Sequence, residues 1–108
     1  MRELKKEKIG EILHRLAAEF VVRESTPASL ITITRVVLNP SGKVAHIYFT
    51  TLPESQEDTA FKFLTRKGSE FVSYVRDHSK IGIIPALRFE IDYGERNRQH
   101  LDELGRVL

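Results

Sequence analysis

The tetrapeptide Asn39-Pro40-Ser41-Gly42 separates two runs of strand character, and its chemistry forces the chain to reverse between them. Residues 29–38, SLITITRVVL, are dense in β-branched side chains. Residues 43–51, KVAHIYFTT, alternate as a half-buried strand does. Proline presets φ and glycine takes positive φ without steric cost, so the segment between them is a turn. An antiparallel hairpin is expected.

The flanking segments have the other period. Between Leu4 and Val22, Ile9, Ile12, Leu13, Leu16, Ala17 and Phe20 recur at steps of three and four, which predicts a first helix closed by Ser25-Thr26-Pro27. After Pro53, the acids Glu54, Glu57 and Asp58 suit the partial positive charge of a helix N-terminus. Phe61, Leu64, Gly68, Phe71, Val72 and Val75 predict a second helix, ending near Asp77 or His78 and lying on the sheet, with Gly68 on its inner face as a place where it can break.

Residues 82–93, GIIPALRFEIDY, predict a third strand with Leu87, Phe89, Ile91 and Tyr93 on one side and Arg88, Glu90 and Asp92 on the other. Pro85 belongs at its start or on an edge, since proline cannot donate to a ladder. Leu101, Leu104 and Leu108 predict a short C-terminal helix. The order implies an α+β fold with a three-stranded mixed sheet and helices on one face, in a single domain over residues 1–108.

Composition narrows the function classes. The 108 residues are 41% hydrophobic and 30% charged, a folding mixture and not a disordered one. With no cysteine, a disulfide framework, a thiolate metal site and a thiol nucleophile are excluded. The opening MRELKKEKIGEILHRL is charged and amphipathic, and no run approaches a membrane span, so a soluble cytoplasmic protein with no membrane partner is expected. His14, His46, His78 and His100 are isolated from one another, and no glycine-rich phosphate loop or Gly-x-Ser-x-Gly elbow accompanies them. No catalytic residue, metal site or cofactor is expected.

The net charge of +2 is small, but its distribution is not even. Residues 25–53 hold Arg35 and Lys43 and no acid, and residues 61–80 hold Lys62, Arg66, Lys67, Arg76 and Lys80 against Glu70 and Asp77. Lys62, Arg66, Ser69, Ser73 and Arg76 follow alternating steps of four and three, which places them on one helical stripe that Lys80 continues if the helix persists. Cations and hydroxyls in a row suit a sugar-phosphate backbone, although a solvated face has the same appearance. A second cluster, Lys5, Lys6 and Lys8, is interleaved with Glu3, Glu7 and Glu11 at salt-bridge spacing and is the weaker candidate. Of Tyr48 and Phe49 only one can face outward as a stacking platform, and Phe49 is expected in the core.

Three segments resemble one known family. KIGEILHRLAAEF, ITITRVVLNPSGKVAHIYFT and KIGIIPALRFEIDYGERNRQHLDEL look like ribosome-binding factor A, the last carrying Pro85, Leu87, Phe89 and Asp92 of a PxLxFxxD strand. The resemblance covers nearly the whole chain. It implies a KH-like fold of α-β-β-α-β (type II) order, and a monomeric, non-enzymatic factor that binds the small ribosomal subunit precursor, its rRNA and its proteins during late maturation and rRNA processing. Ordinary KH domains clamp RNA with a Gly-x-x-Gly loop, which is absent here. The family replaces it with a kinked helix bearing Ala-x-Gly, whose nearest match is Gly68-Ser69-Glu70. The RNA-binding set so implied is Lys62, Arg66, Lys67, Gly68, Ser69, Ser73, Arg76 and Lys80. The alternatives are a generic KH-like binder of single-stranded RNA, a protein-interaction module pairing through an exposed strand edge, and, third, a small hydrolase or metal enzyme.

Overall fold

The computed structural model describes residues 3–24 and 30–107, and Ser25-Thr26-Pro27 and Leu108 lie outside them. The elements follow as α1 (Glu3–Glu24), β1 (Leu30–Leu38), β2 (Val44–Leu52), a 3-10 turn (Glu54–Gln56), α2 (Glu57–Arg66), α3 (Gly68–His78), β3 (Ala86–Ile91) and α4 (Tyr93–Val107). The sheet order is β1-β2-β3, antiparallel then parallel, which is the mixed sheet expected of the α+β, KH-like order. No helix among the described residues is long and apolar enough to cross a membrane.

The hairpin turn is held by one side chain. Asn39 Oδ1 accepts from the backbone N–H groups of Lys43 (3.0 Å) and Val44 (3.1 Å) and from the Ser41 hydroxyl (3.2 Å), while the Gly42 N–H bonds to the Asn39 carbonyl. Gly42 sits at φ 74°, where an L side chain is strained. Replacing it with alanine is expected to destabilise the fold by about 1–2 kcal/mol, read as a lower urea midpoint.

Strand β1 changes phase midway. Its register runs Ile33↔Phe49 and then Arg35↔Tyr48, so Thr34 is an extra residue, a β-bulge. Before the bulge Ile31 and Ile33 are buried; beyond it Val36 and Leu38 pack against the core. A one-residue slip exchanges the faces of a strand, which is why both pairs reach the same side.

That side carries the helices. Leu13, Leu16 and Phe20 of α1, Leu64 of α2, and Phe71 and Val75 of α3 form one buried cluster with Ala45, Ile47, Phe49 and Phe89 of the sheet. Phe71 joins the layers, its ring centroid 5.0 Å from that of Phe20 and 5.3 Å from that of Phe89.

The structure departs from several expectations. The second helix is two helices, separated at Lys67, one residue before the Gly68 at which the resemblance places a kink. Phe61, expected in its apolar face, is 39% exposed, because no fourth strand among the described residues lies outside β3 to cover it. Residues 82–85 are not strand: the ladder starts only after Pro85, where the Ala86 N–H bonds to the Lys43 carbonyl. Tyr93 opens α4 and is exposed, and Asp92, expected on the open side of the strand, is only 4% exposed. Helix α4 is 15 residues long, not short, and Leu101 and Leu104 are exposed on it.

Candidate functional site

The break at Lys67 organises the site. Lys67 keeps near-helical backbone bonds, its N–H to the Phe63 carbonyl (3.1 Å) and its carbonyl to the Phe71 N–H (2.9 Å), so the chain crosses the junction without losing its path. The next residue is Gly68, a poor helix former that lowers the cost of interruption. Helix α3 restarts there, so its first N–H groups lack helical acceptors.

The expected stripe spans this junction. Lys62 and Arg66 are exposed on α2, and Ser69, Ser73 and Arg76 are exposed on α3. Lys62, Arg66, Arg76 and Lys80 join no ion pair among the described residues, leaving their charge available to a ligand. Two members stand apart from the stripe. Helix α3 ends at His78, so Lys80 lies in the following connection and does not extend the helical stripe. Lys67 is half-buried and committed to Glu70 (3.3 Å) and Glu24 (3.8 Å).

Beside the stripe runs a groove of about 610 Å³ that the sequence did not reveal. Phe61, Thr65 and Gly68 form one wall, and Leu87, Ile91 and Tyr93 the other. Its floor follows β3, whose outer edge has no strand partner among the described residues. Lys62 follows Phe61 and precedes Thr65 by three residues, so it stands at the rim on the surface of α2. The groove offers a slot for flat or aliphatic groups, with Asp58, Arg88 and Glu90 also in its lining, and the cations Lys62 and Arg66 stand on the same helix as its Phe61 and Thr65.

Across the sheet, Asp92 ties three elements together. Its Oδ2 accepts from the Thr34 hydroxyl (2.6 Å) and from Arg35 Nε (3.3 Å), and its Oδ1 caps α4 by accepting the Glu95 N–H (3.0 Å). The bulge makes this possible by bringing consecutive residues of β1 to one carboxylate. Burial pushes the Asp92 carboxyl up, but the bonds from Thr34, Glu95 and Arg35 together outweigh it and hold it below the usual range. Helix α4 is further fixed by Arg96, 2.8 Å from Glu57, and by His100, 2.5 Å from Glu54.

The histidines are engaged separately. His14 lies 3.2 Å from the Ile33 carbonyl, His46 bonds to Glu90, and His78 lies 2.8 Å from the Tyr74 carbonyl. Glu11 and His14 stand three residues apart on α1, yet no cluster of three or more His, Asp or Glu able to hold a metal occurs among the described residues.

Comparisons with known proteins point one way. A family model described as ribosome-binding factor A matches residues 5–105. The crystal structure of ribosome-binding factor A from Thermus thermophilus is similar with a TM-score of 0.71 and 25% identity, covering 80% of this chain and 93% of that one. A Thermus thermophilus homology model fitted into a cryo-EM map of a 30S complex with that factor gives a TM-score of 0.64 and 26% identity, covering 73% of this chain and 86% of that one. A Thermotoga maritima solution structure described as a putative ribosome-binding factor A shares the fold, with a TM-score of 0.57 and 23% identity over 84% of this chain and 86% of that one. No sequence among curated proteins matches.

Proposed function

Because the chain belongs to the ribosome-binding factor A family, we propose that it binds the small ribosomal subunit precursor and serves its late maturation and rRNA processing, through association and not catalysis. The observation that carries this reading is the likeness to the Thermus protein fitted into a 30S map. The cations of α2 and α3 that join no ion pair among the described residues support an rRNA contact, with Lys62, Arg66, Ser69, Ser73 and Arg76 along the backbone and Gly68 at the groove wall. In this reading residues 1–108 act as one monomeric, cytoplasmic domain. The binding set keeps Lys67 and Lys80 only as flanking charges.

The experiment is co-sedimentation of the purified protein with separated small subunits, large subunits and intact ribosomes at low and high salt. Retention on small subunits that weakens steeply with salt is expected, since counterion release dominates phosphate contacts. Equal retention on both subunits, or on neither, overturns the proposal. The apolar groove along the open edge of β3 favours a second reading, strand addition by a partner protein. Binding to protein-free rRNA would be absent in that case.

A further inference from the structure

The face of the sheet opposite the helices carries a prepared arginine. Arg35 lies flat on Tyr48, its guanidinium carbon 3.9 Å from the ring centroid, and its Nε is held by the buried Asp92. Ring and carboxylate together fix both the plane and the rotation of the guanidinium. The side chain nevertheless remains 54% exposed, and its two η nitrogens bond to nothing among the described residues. A surface arginine ordinarily loses rotamer freedom when it binds; this one has lost it already.

Its surroundings indicate what it can hold. Arg88 is exposed on the same face, and Glu90, the carboxylate this face exposes, is engaged by His46. The donors left open are therefore cationic and complement a phosphodiester. Across the β1 edge, however, Glu3, Glu7 and Glu11 line a neighbouring groove with Arg35, so charge alone would hold an anion weakly. The feature specific to this site is the flat outer side of a guanidinium backed by a tyrosine ring, which matches a nucleobase.

We infer that the Arg35–Tyr48 pair is a stacking site for an unpaired RNA base, a second RNA contact on the sheet face remote from the α2–α3 stripe. The inference rests on the RNA-binding reading. It adds that the protein meets RNA on two faces, one read by charge and the other by stacking.

The test is titration of the whole protein with a short fluorescent single-stranded oligoadenylate at low and moderate salt, comparing Arg35→Lys and the stripe variant K62E/R66E/R76E. Arg35→Lys keeps the cation for Asp92 and removes the plane, so it should fold as wild type by circular dichroism and bind about fivefold or more weakly, the loss of one base stack. Its salt dependence should equal that of wild type. The stripe variant should instead show a shallower salt dependence. If Arg35→Lys binds as tightly as wild type, the stacking site does not exist even where the stripe variant fails. If wild type binds no oligoadenylate, both this site and the RNA reading fall.

Discussion

Replacing Asp92 with alanine should lower the stability of the fold by about 2.5–4 kcal/mol, combining roughly 1 kcal/mol for a lost helix cap with about 1.5–3 for hydrogen bonds to a charged group. The carboxylate is buried while its partners come from β1 and α4, so its removal affects three elements at once. Urea unfolding should show a lower midpoint with an unchanged slope. Asparagine should be intermediate, because its carbonyl oxygen can still accept the Glu95 N–H. The sign of the pH effect follows from the depressed carboxyl. The native state holds Asp92 ionised more readily than the unfolded chain does, so its contribution is complete above the unfolded value of about 3.9, and fades as pH falls through the lower native value. Wild type and Asp92→Ala should therefore converge in stability in strong acid. A constant gap from neutral pH down to strong acid would mean the carboxylate acts by shape and not by charge.

Reversing Lys62, Arg66 and Arg76 to glutamate should leave stability within about 0.5 kcal/mol, since all three are exposed and unpaired among the described residues. Binding to single-stranded RNA should fall by about a hundredfold or more near 0.1 M salt. Each phosphate contact on a single strand contributes about 0.7 to the slope of log affinity against log salt, so the slope should shrink by about 2. Loss of affinity with an unchanged slope would place the phosphates elsewhere on the protein.

The order of elements was legible because each keeps its own period, and the turn at Asn39-Pro40-Ser41-Gly42 needs no tertiary contact to be recognised. Other features left fainter marks. The bulge is written as a slip in alternation, from Ile31 and Ile33 to Val36 and Leu38, visible once the faces are known. The break beside Gly68 was marked by the glycine itself, but its place at Lys67 was not, because Leu64, Gly68 and Phe71 keep helical spacing across it and the backbone bonds at Lys67 preserve that spacing. Asp92 continued the strand pattern by one residue, while the Glu95 three positions later was the signal of a helix start instead. The groove had no signal at all. Its walls come from residues far apart in the chain, and Phe61 reads as a core residue until the width of the sheet is known.

That distance between the walls sets an order of events during synthesis. One wall, from Phe61 to Gly68, is complete when β3 has not yet been made, and the other depends on Leu87, Ile91 and Tyr93. A nascent chain stopped before Ala86 has both edges of its hairpin open and no groove. Whatever occupies that slot can meet only a chain in which β3 and Tyr93 have already been made.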